Sequence, residues 1–301
     1  MTELILKFIS FFLILISAFT SSGLVKWTDT MEGHDLEIFE ATEKKADELR
    51  ILSFNVRVAD NNGVPAIARR SLVVEQIRKI APDSFGLQEA SPDWYLALKA
   101  GLPEYGYVGV ARDNGLEKLG LGEANPIFWL KEKLELVDHG DFWLSETPDK
   151  PSYGPGAGCR RVCTWAKLRE RATGKIYVHV NSHFDHVSED ARVFGAKLIA
   201  DFIAERFAAL PVVFTADMNT GEGGEAYDTM TALLSDARYA AADSAGRGTY
   251  HECKPESWPD LKLDYILCSA GITVDTFRVV TDGVDGRFVS DHFPLYADVK
   301  F

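Results

Sequence analysis

The residues after position 50 form short apolar runs that alternate with a few helical patterns. Apolar residues at spacings of three and four predict helices, and these fall at 66–80, 91–100 and 188–207. Ser91 and Pro92 have the residue types of an N-cap and a first helical position. Apolar runs bounded by turn residues predict strands, and these fall at 51–58, 84–88, 105–111, 125–131, 134–144, 161–169, 175–183, 211–216, 263–268, 272–280 and 293–300.

Many strands with few helices between them predict two packed β-sheets with helices outside. The chain has 301 residues, of which 46% are hydrophobic and 26% charged, so it fits one large globular domain. We therefore place that domain at residues 50–301. Residues 24–49 are rich in carboxylates and are interpreted as an acidic linker.

The first 23 residues have the pattern of a secretion signal. Residues 4–19 are apolar apart from Lys7, Ser10 and Ser17, and small residues follow. The apolar stretch is short for a membrane span, and its flanks are those of a signal peptide. We expect cleavage near residues 20–23, no stable membrane span afterwards, and a periplasmic or secreted protein. An uncleaved anchor or a buried helix is the alternative.

The net charge of −13 comes from 45 acidic against 32 basic side chains. Such a charge repels polyanions unless a basic patch overrides it, and the longest Lys/Arg run has two residues. Nucleic acid is therefore disfavoured as a partner without being excluded, and we expect a monomer.

Four cysteines, Cys159, Cys163, Cys253 and Cys268, would meet an oxidising compartment after export. They allow three complete pairings, among which the sequence does not choose. A zinc site is the rival interpretation, but the close pair Cys159 and Cys163 has no matching second pair. Thiols or one disulfide are the favoured outcomes.

Polar side chains occupy the predicted strand ends, where the neighbouring positions are apolar. Mg²⁺ prefers oxygen ligands, and histidines beside such a site can move protons or face the charge that develops on a phosphoryl group. Any one of these residues alone is more often a cap or turn residue. The set is Asn55, Glu89, His183, Asp185, Asp217, Asn219, Asp264, Asp291 and His292.

Six short motifs in this order resemble those of the endonuclease/exonuclease/phosphatase superfamily, over residues 50–300. The resemblance implies an α/β (α+β) fold, a four-layer sandwich of two mainly antiparallel β-sheets flanked by helices. It also implies a metal-dependent phosphoric-ester hydrolase that uses Mg²⁺, with Mn²⁺ as a substitute. The motifs are Ser53-Phe54-Asn55, Leu87-Gln88-Glu89, Asn181 to His186, Ala216-Asp217-Met218-Asn219, Leu263-Asp264-Tyr265-Ile266 and Ser290-Asp291-His292-Phe293-Pro294.

The resemblance assigns roles residue by residue. Glu89 matches the principal metal ligand, Asn55 the asparagine that positions it, and Asp291 a second metal-side carboxylate. Asp217 matches the residue that orients or deprotonates the attacking water, and Asn219 an amide that holds a phosphate oxygen or the metal. His183 matches a histidine facing the phosphate or leaving group, and Asp264 with His292 a carboxylate–histidine pair. Whether Asp217 or His292 removes the proton of the water stays open.

One position departs from the superfamily pattern. Some of its nucleases have a carboxylate two residues after the asparagine, where this chain has Arg57. A cation there removes a metal ligand or instead binds a phosphate of the substrate, and the sequence favours one metal ion over two.

Three further stretches, 122–129, 142–148 and 159–166, resemble an exported bacterial branch of the superfamily with mostly unassigned substrates. Arg112, Glu123, Asn125 and Arg160 lie in or near these loops and are predicted to contact substrate. Loop salt bridges are the alternative interpretation.

These observations predict hydrolysis of a phosphate mono- or diester, on a small or lipid-linked molecule. The alternative is a nuclease, either an endonuclease or a deadenylase-like 3′–5′ exonuclease on DNA or RNA. A non-catalytic binding protein on the same scaffold is disfavoured, because each motif position carries a chemically competent residue.

Overall fold

The computed structural model describes residues 41–59, 64–117, 120–246, 248–253, 261–281, 283–284 and 286–301. The five helices within them are α1 Ala66–Ile80, α2 Pro92–Gly101, α3 Glu189–Arg206, α4 Glu225–Thr231 and α5 Ala237–Ala240. The strands are β1 Leu49–Asn55, β2 Ser84–Gln88, β3 Tyr105–Val108, β4 Ile127–Leu130, β5 Leu134–Trp143, β6 Val162–Glu170, β7 Ile176–His183, β8 Val212–Asp217, β9 Ser235–Asp236, β10 Asp243–Ala245, β11 Asp264–Cys268, β12 Thr273–Val279 and β13 Leu295–Lys300.

The strands form two mixed, mostly antiparallel sheets. The first has seven strands in the order β10-β12-β13-β1-β2-β4-β3, and the second has six in the order β5-β6-β7-β8-β11-β9. Parallel pairing is confined to β1 with β2, β10 with β12, and β7 with β8 among the described strands. The predicted sandwich of two sheets flanked by helices is confirmed.

Three hydrophobic clusters separate the layers. Alternate residues of a strand face opposite sides of its sheet, so Ile51 of β1 packs between the sheets while Phe54 packs against the layer of α1 and α2. On the outer face of the second sheet, Val180 of β7 packs with Ile199 of α3. Each sheet is therefore covered on both faces.

Local sequence signals set the helix ends. Ala81 adopts a left-handed conformation after α1 and donates its N–H to Ile77 O, and Pro82 follows. At the start of α3, the Ser188 hydroxyl accepts a hydrogen bond from the Ala191 N–H at 3.1 Å. Ser91 occupies the N-cap position of α2 as predicted, but its side chain makes no capping hydrogen bond.

Two predicted strands extend too far, and the one at 105–111 ends at Val108. The first strand ends at Asn55 instead of Val58, because Arg57 takes a left-handed φ of 52° that no strand accommodates. The sequence also gave no prediction for the elements from α4 to β10, which are short and lack a clear periodicity.

The predicted signal peptide and most of the acidic linker lie outside the described residues. The linker residues from 41 onward contact the domain, and the Thr42 N–H donates to the Tyr296 hydroxyl at 2.9 Å. Of the helices in the described ranges, none is both long and apolar enough to cross a bilayer. The four cysteines are present as thiols.

Candidate active site

Three strands of the second sheet place their polar ends side by side. His183 at the end of β7 lies opposite Asp217 at the end of the parallel strand β8. Asp217 in turn pairs with Asp264 at the start of the antiparallel strand β11. Parallel and antiparallel neighbours thus bring an imidazole and two carboxylates to one edge.

The first sheet contributes to the same edge. Asn55 ends β1 opposite Gln88 of β2, and Glu89 follows directly. Because β13 runs antiparallel to β1, the residues before it, Asp291 and His292, lie at the end where β1 stops. The Ser290 hydroxyl donates to Asn55 O at 2.7 Å and joins the two segments.

A buried polar layer supports this edge from between the sheets. Gln88 donates its Nε2 to Asn181 Oδ1 at 2.8 Å, and the Thr215 hydroxyl bonds to the same oxygen at 3.0 Å. Asn181 donates to Leu87 O at 2.8 Å. These hydrogen bonds join β2, β7 and β8 between the sheets, so they hold the strand ends that carry the site relative to each other.

His292 is sandwiched between two carboxylates. Its Nδ1 lies 2.7 Å from Asp264 Oδ2, and its Nε2 lies 3.8 Å from Asp217 Oδ2. Burial lowers the pKa of His292, but the carboxylates of Asp264 and Asp217 outweigh it and raise that pKa to about 10. The Thr249 hydroxyl donates to Asp264 Oδ2 at 2.6 Å and fixes the carboxylate. His292 is therefore held as an imidazolium.

Asp217 is the most perturbed carboxylate of the edge. Burial and the neighbouring charge of Asp264 raise its pKa to about 7, although His292, the Asn219 N–H and Asn55 act in the opposite direction. Asn55 Nδ2 donates to Asp217 Oδ2 at 2.8 Å. A carboxylate with a pKa near 7 is suited to accepting a proton at neutral pH.

His183 is neutral, and its hydrogen bonds define its tautomer. Burial, together with Arg161 and Arg112, lowers its pKa well below the ordinary value. Asn219 Nδ2 donates to Phe184 O at 3.0 Å and lies 2.9 Å from His183 Nε2, so Nε2 is the acceptor. Nδ1 therefore carries the proton, and it has no hydrogen-bond partner among the described residues.

Glu89 is placed by an unusual backbone. Its φ is 61°, and its two carboxylate oxygens accept from Asn55 Nδ2 at 3.0 Å and from the Val58 N–H at 2.9 Å. Non-glycine residues in the left-handed region are uncommon and concentrate at functional sites. Arg57, which also lines the cleft, forms an ion pair with Asp291.

A cluster at this edge has the donor atoms of a divalent metal site. One ligand atom each from Asp217, Asp264 and His292 lies within 4.8 Å of the others. Glu89 and Asp291, which the resemblance predicts as metal ligands, line the same cleft. The edge of the sandwich therefore offers more than one carboxylate to a cation.

The cleft has a volume of about 350 Å³ and receives the branch-specific loops on one side. Arg112 and Glu123 line it, joined by a hydrogen bond of 2.7 Å from Arg112 Nη1 to Glu123 Oε2. Two other predicted substrate contacts, Asn125 and Arg160, are not among the described residues that line it.

Asn125 and Arg160 instead make contacts within the loops. Asn125 is buried and donates to Val162 O at 2.7 Å, which ties its loop to β6. Arg160 lies 3.3 Å from Asp113 Oδ1 and stacks over the ring of Tyr153 at 4.6 Å. The adjacent Arg161 lines the cleft in its place.

Sequence reasoning missed Arg161, Thr249 and His186 at or near the site. Successive residues of an extended chain point to opposite sides. One arginine of the pair 160–161 must therefore point away from the cleft, but the sequence does not show which one. Thr249 acts through Asp264 from a segment with no strand pattern. Only the folded structure shows that Thr249 contacts Asp264.

Comparison with known proteins agrees with the sandwich fold. The sequence profile of the Endonuclease/Exonuclease/phosphatase family matches residues 52–292. A search of curated proteins found no match. A mannosyl-6-phosphatase of Bacteroides thetaiotaomicron VPI-5482 is 33% identical, covering 84% of this chain and 100% of its own, with a TM-score of 0.79. An endonuclease/exonuclease/phosphatase protein of Bacteroides vulgatus is 35% identical, covering 84% and 99%, with a TM-score of 0.79.

A more distant structure shares the fold alone. TDP2 of D. rerio, in complex with a single-strand DNA product, is 18% identical over 84% of this chain and 99% of its own, with a TM-score of 0.67. The fold and the site define a phosphoesterase-type hydrolase. The chain belongs to the Endonuclease/Exonuclease/phosphatase family.

Proposed function

We propose that the protein is a divalent-metal-dependent phosphatase that hydrolyses a small phosphate monoester, with a phosphorylated sugar as the substrate class. The observation that carries the proposal is the arrangement of Asp217 between His292 and Glu89 in one small cleft. Asp217 can accept a proton there, His292 supplies a positive charge, and Glu89 supplies a metal ligand.

The residues present fit a divalent cation best at Glu89. A metal ligand has to be unprotonated, and Asp264 holds His292 as an imidazolium, which argues against the imidazole as a ligand. Glu89 and Asp291 are carboxylates in one cleft, and oxygen donors of this kind suit Mg²⁺ or Mn²⁺. The cation, when bound, neutralises charge on the phosphoryl oxygens.

The residues of the chain then have separate roles. Asp217 accepts the proton of the water whose oxygen bonds to phosphorus, while the bond from phosphorus to the leaving oxygen breaks and that oxygen takes a proton from solvent to leave as the alcohol. His292, held protonated by Asp264, stabilises the negative charge on the phosphoryl oxygens. His183 and Asn219 face the leaving-group side. Arg57 supplies a cation where a second metal ligand would lie, which favours a single ion.

Cleft size and one relative support a small substrate. A volume of about 350 Å³ is at the lower end of the roughly 300–1,000 Å³ of ligand pockets, which suits a small ester. The relative from B. thetaiotaomicron is a mannosyl-6-phosphatase. We therefore include mannose 6-phosphate in the first set of substrates to assay.

The proposal is tested with purified protein and mannose 6-phosphate, p-nitrophenyl phosphate, DNA and RNA, in Mg²⁺, Mn²⁺ or EDTA. Phosphate release from the monoesters that stops in EDTA is expected. Glu89→Gln is expected to lower kcat/KM by at least about 100-fold at a fixed Mg²⁺ concentration. Glu205→Gln on the exposed face of α3 is the matched control. Equal rates in EDTA and Mg²⁺ would refute the metal dependence.

The nuclease alternative gives a different salt dependence. Binding of DNA or RNA weakens steeply as salt rises, because counterions compete for the phosphates. Hydrolysis of a small monoester is expected to change far less between 50 and 200 mM salt. Cleavage of nucleic acid, with a steep loss over that range and no monoester turnover, would favour the nuclease.

We also propose that the mature protein is an exported monomer. The apolar segment of residues 4–19, followed by small residues, supports export. N-terminal sequencing of protein from the periplasm or medium is expected to start near residues 20–23. Sedimentation of that protein is expected to give the mass of one chain. Full-length protein retained in membranes would contradict export.

A further inference from the structure

One wall of the cleft carries buried hydrogen-bond donors that no described residue accepts. Arg161 is 5% exposed, and neither its Nε nor its Nη1 has a hydrogen-bond partner among the described residues. Nε of Arg112 and Nδ1 of His183 also have no hydrogen-bond partner among the described residues. An unsatisfied buried polar group costs stability, so a ligand oxygen in the cleft is the expected partner.

The side chain of Arg161 is held in position by His186 and Asp185. Its Nη2 lies 3.0 Å from His186 Nδ1, and its Nε lies 3.7 Å from Asp185 Oδ2. Both oxygens of Asp185 accept backbone N–H groups, among them those of Ser188 at 2.9 Å and Cys159 at 3.2 Å. Because Asp185 is itself held by the loop, Arg161 cannot turn away to find another acceptor.

The same wall also offers an acceptor. Glu123 binds Arg112 through Oε2, which lies 3.9 Å from His183 Nδ1. His183 Nε2 is in turn 3.4 Å from Asp217 Oδ2. The wall of Arg112, Glu123 and Arg161 therefore begins one side chain away from the reacting centre, on the side we assign to the leaving group.

Charge indicates what kind of leaving group fits. The two guanidinium groups of the wall contact two carboxylates, Glu123 and Asp185. The wall is therefore close to neutral, and a second phosphate or a carboxylate would gain little from it. Donors beside an acceptor suit hydroxyl groups, since each hydroxyl can accept from an arginine and donate to a carboxylate.

We infer that Arg161 and Glu123 form a subsite that recognises hydroxyl groups on the leaving group of the substrate. The inference rests on the proposed function, because it assigns the leaving-group side of that reaction. It makes Arg161 and Glu123 determinants of specificity, and it explains why buried donors are retained in a cleft wall that a smaller side chain could line.

The test compares two esters that differ in hydroxyl groups, mannose 6-phosphate and n-hexyl phosphate. In Arg161→Gln, the ratio of kcat/KM for mannose 6-phosphate to that for hexyl phosphate is expected to fall by about 10- to 100-fold, as for loss of a hydrogen bond to a charged group. The matched control is Arg160→Gln, whose guanidinium contacts Asp113 and Tyr153 outside the cleft lining. In that variant the ratio is expected to change by less than about 3-fold. An equal fall for both esters in Arg161→Gln would overturn the inference.

Binding measured by calorimetry in EDTA separates this inference from the proposed function. If the wild type hydrolyses neither ester, the proposed function fails, but preferential binding of mannose 6-phosphate that Arg161→Gln abolishes would still support the subsite. Equal affinity of wild type and variant for mannose 6-phosphate, or no binding of it by the wild type, would overturn the subsite. If Arg161→Gln does not fold, Glu123→Gln, nearly equal in shape, is expected to lower the same ratio.

Discussion

At the scale of single residues, the charge on His292 depends on Asp264. The carboxylate lies 2.7 Å from the imidazole and is fixed by the Thr249 hydroxyl. Burial alone would keep the imidazole neutral, as it does for His183. Two histidines a few ångströms from the same Asp217 thus hold opposite protonation states, because carboxylates surround His292 whereas Arg161 and Arg112 lie near His183.

Asp264→Asn is therefore expected to lower the pKa of His292 from about 10, because it removes a charge that raises it. If the imidazolium is required, the alkaline limb of the pH profile for kcat moves to lower pH, and kcat at pH 7.5 falls by roughly 100-fold. Steady-state kinetics over pH 5–10 measure both effects, with Asp275→Asn, at a partly exposed position of β12 outside the cleft lining, as the control. An unchanged alkaline limb would show that the charge on His292 is not needed.

The residues whose chemistry the sequence identified do converge, but their partners were harder to foresee. Asn55, Glu89, Asp217, Asp264 and His292 lie at or close to strand ends, and strand ends on one side of a sandwich meet in space. By contrast, the choice between Arg160 and Arg161 depends on which way a loop enters β6. A shift of the strand pairing by one residue turns each side chain to the other face of the sheet. No sequence pattern at residues 160–161 fixes that pairing.

At the scale of elements, β2 and the second sheet approach closely at Gly86. A Cβ at this position would lie 2.5 Å from Asn181 Oδ1 and closer still to Thr215 Oγ1. Those two side chains belong to the polar layer under the site. Only glycine therefore allows β2 to pass over β7 and β8 at this distance.

Gly86→Ala is expected to destabilise the fold by roughly 1–3 kcal/mol, the usual cost of inserting a methyl group where no space exists. Gly221→Ala, where an added Cβ meets nothing within 4 Å, is the matched control and should stay within about 0.5 kcal/mol of the wild type. Urea unfolding measures both. Equal midpoints for the two variants would mean that the sheets can move apart at no cost.

His179 joins three strands between the sheets in its neutral form. Its Nδ1 lies 2.6 Å from the Ser84 hydroxyl and its Nε2 lies 2.9 Å from the Thr215 hydroxyl. Burial lowers its pKa from 6.5 to about 3. Because the unfolded chain binds this proton more readily, the contribution of His179 is complete above pH 6.5 and is lost as the pH falls towards 3.

The stability contributed by His179 is expected to drop by ~3 kcal/mol between pH 6.5 and 4, at 1.36 kcal/mol for each pH unit. Urea unfolding at several pH values should show a flatter dependence in His179→Gln than in the wild type, with the difference confined to that range. His139→Gln, at an exposed position, should keep the wild-type dependence. Parallel curves for wild type and His179→Gln would contradict a depressed pKa.

The elements that the sequence predicted best are those whose own hydrophobic pattern is long enough to identify them. α1 has the predicted bounds, and the strands from β5 to β8 differ by a residue or so at their ends. α5 has four residues and β10 three, too few for a period to emerge. β10 forms by pairing with β12, more than 25 residues further on, and pairing of that kind has no local signature.

At the scale of the whole molecule, the first sheet joins the two ends of the described chain. β1 lies between β2 and β13, so the first strand and the last are neighbours in its centre. Arg50 of β1 donates two hydrogen bonds to Asp298 of β13, at 2.7 and 2.8 Å, and both side chains are buried. A site assembled from Asn55 to His292 therefore exists only when this closure is complete.

Activity and global structure are consequently expected to be lost in one transition. Phosphatase activity assayed in urea should follow the fluorescence of the tryptophans, since Trp94 and Trp129 report on the first sheet and its helices, and Trp143 and Trp165 on the second. Asp298→Asn leaves Arg50 buried without its charged partner, which typically costs about 3–5 kcal/mol. Because Asp298 lies outside the cleft lining, both transitions should move to lower urea together, with kcat in buffer unchanged. Activity that disappears while fluorescence stays native would show instead that the cleft opens on its own, and that closure of β1 onto β13 does not control it.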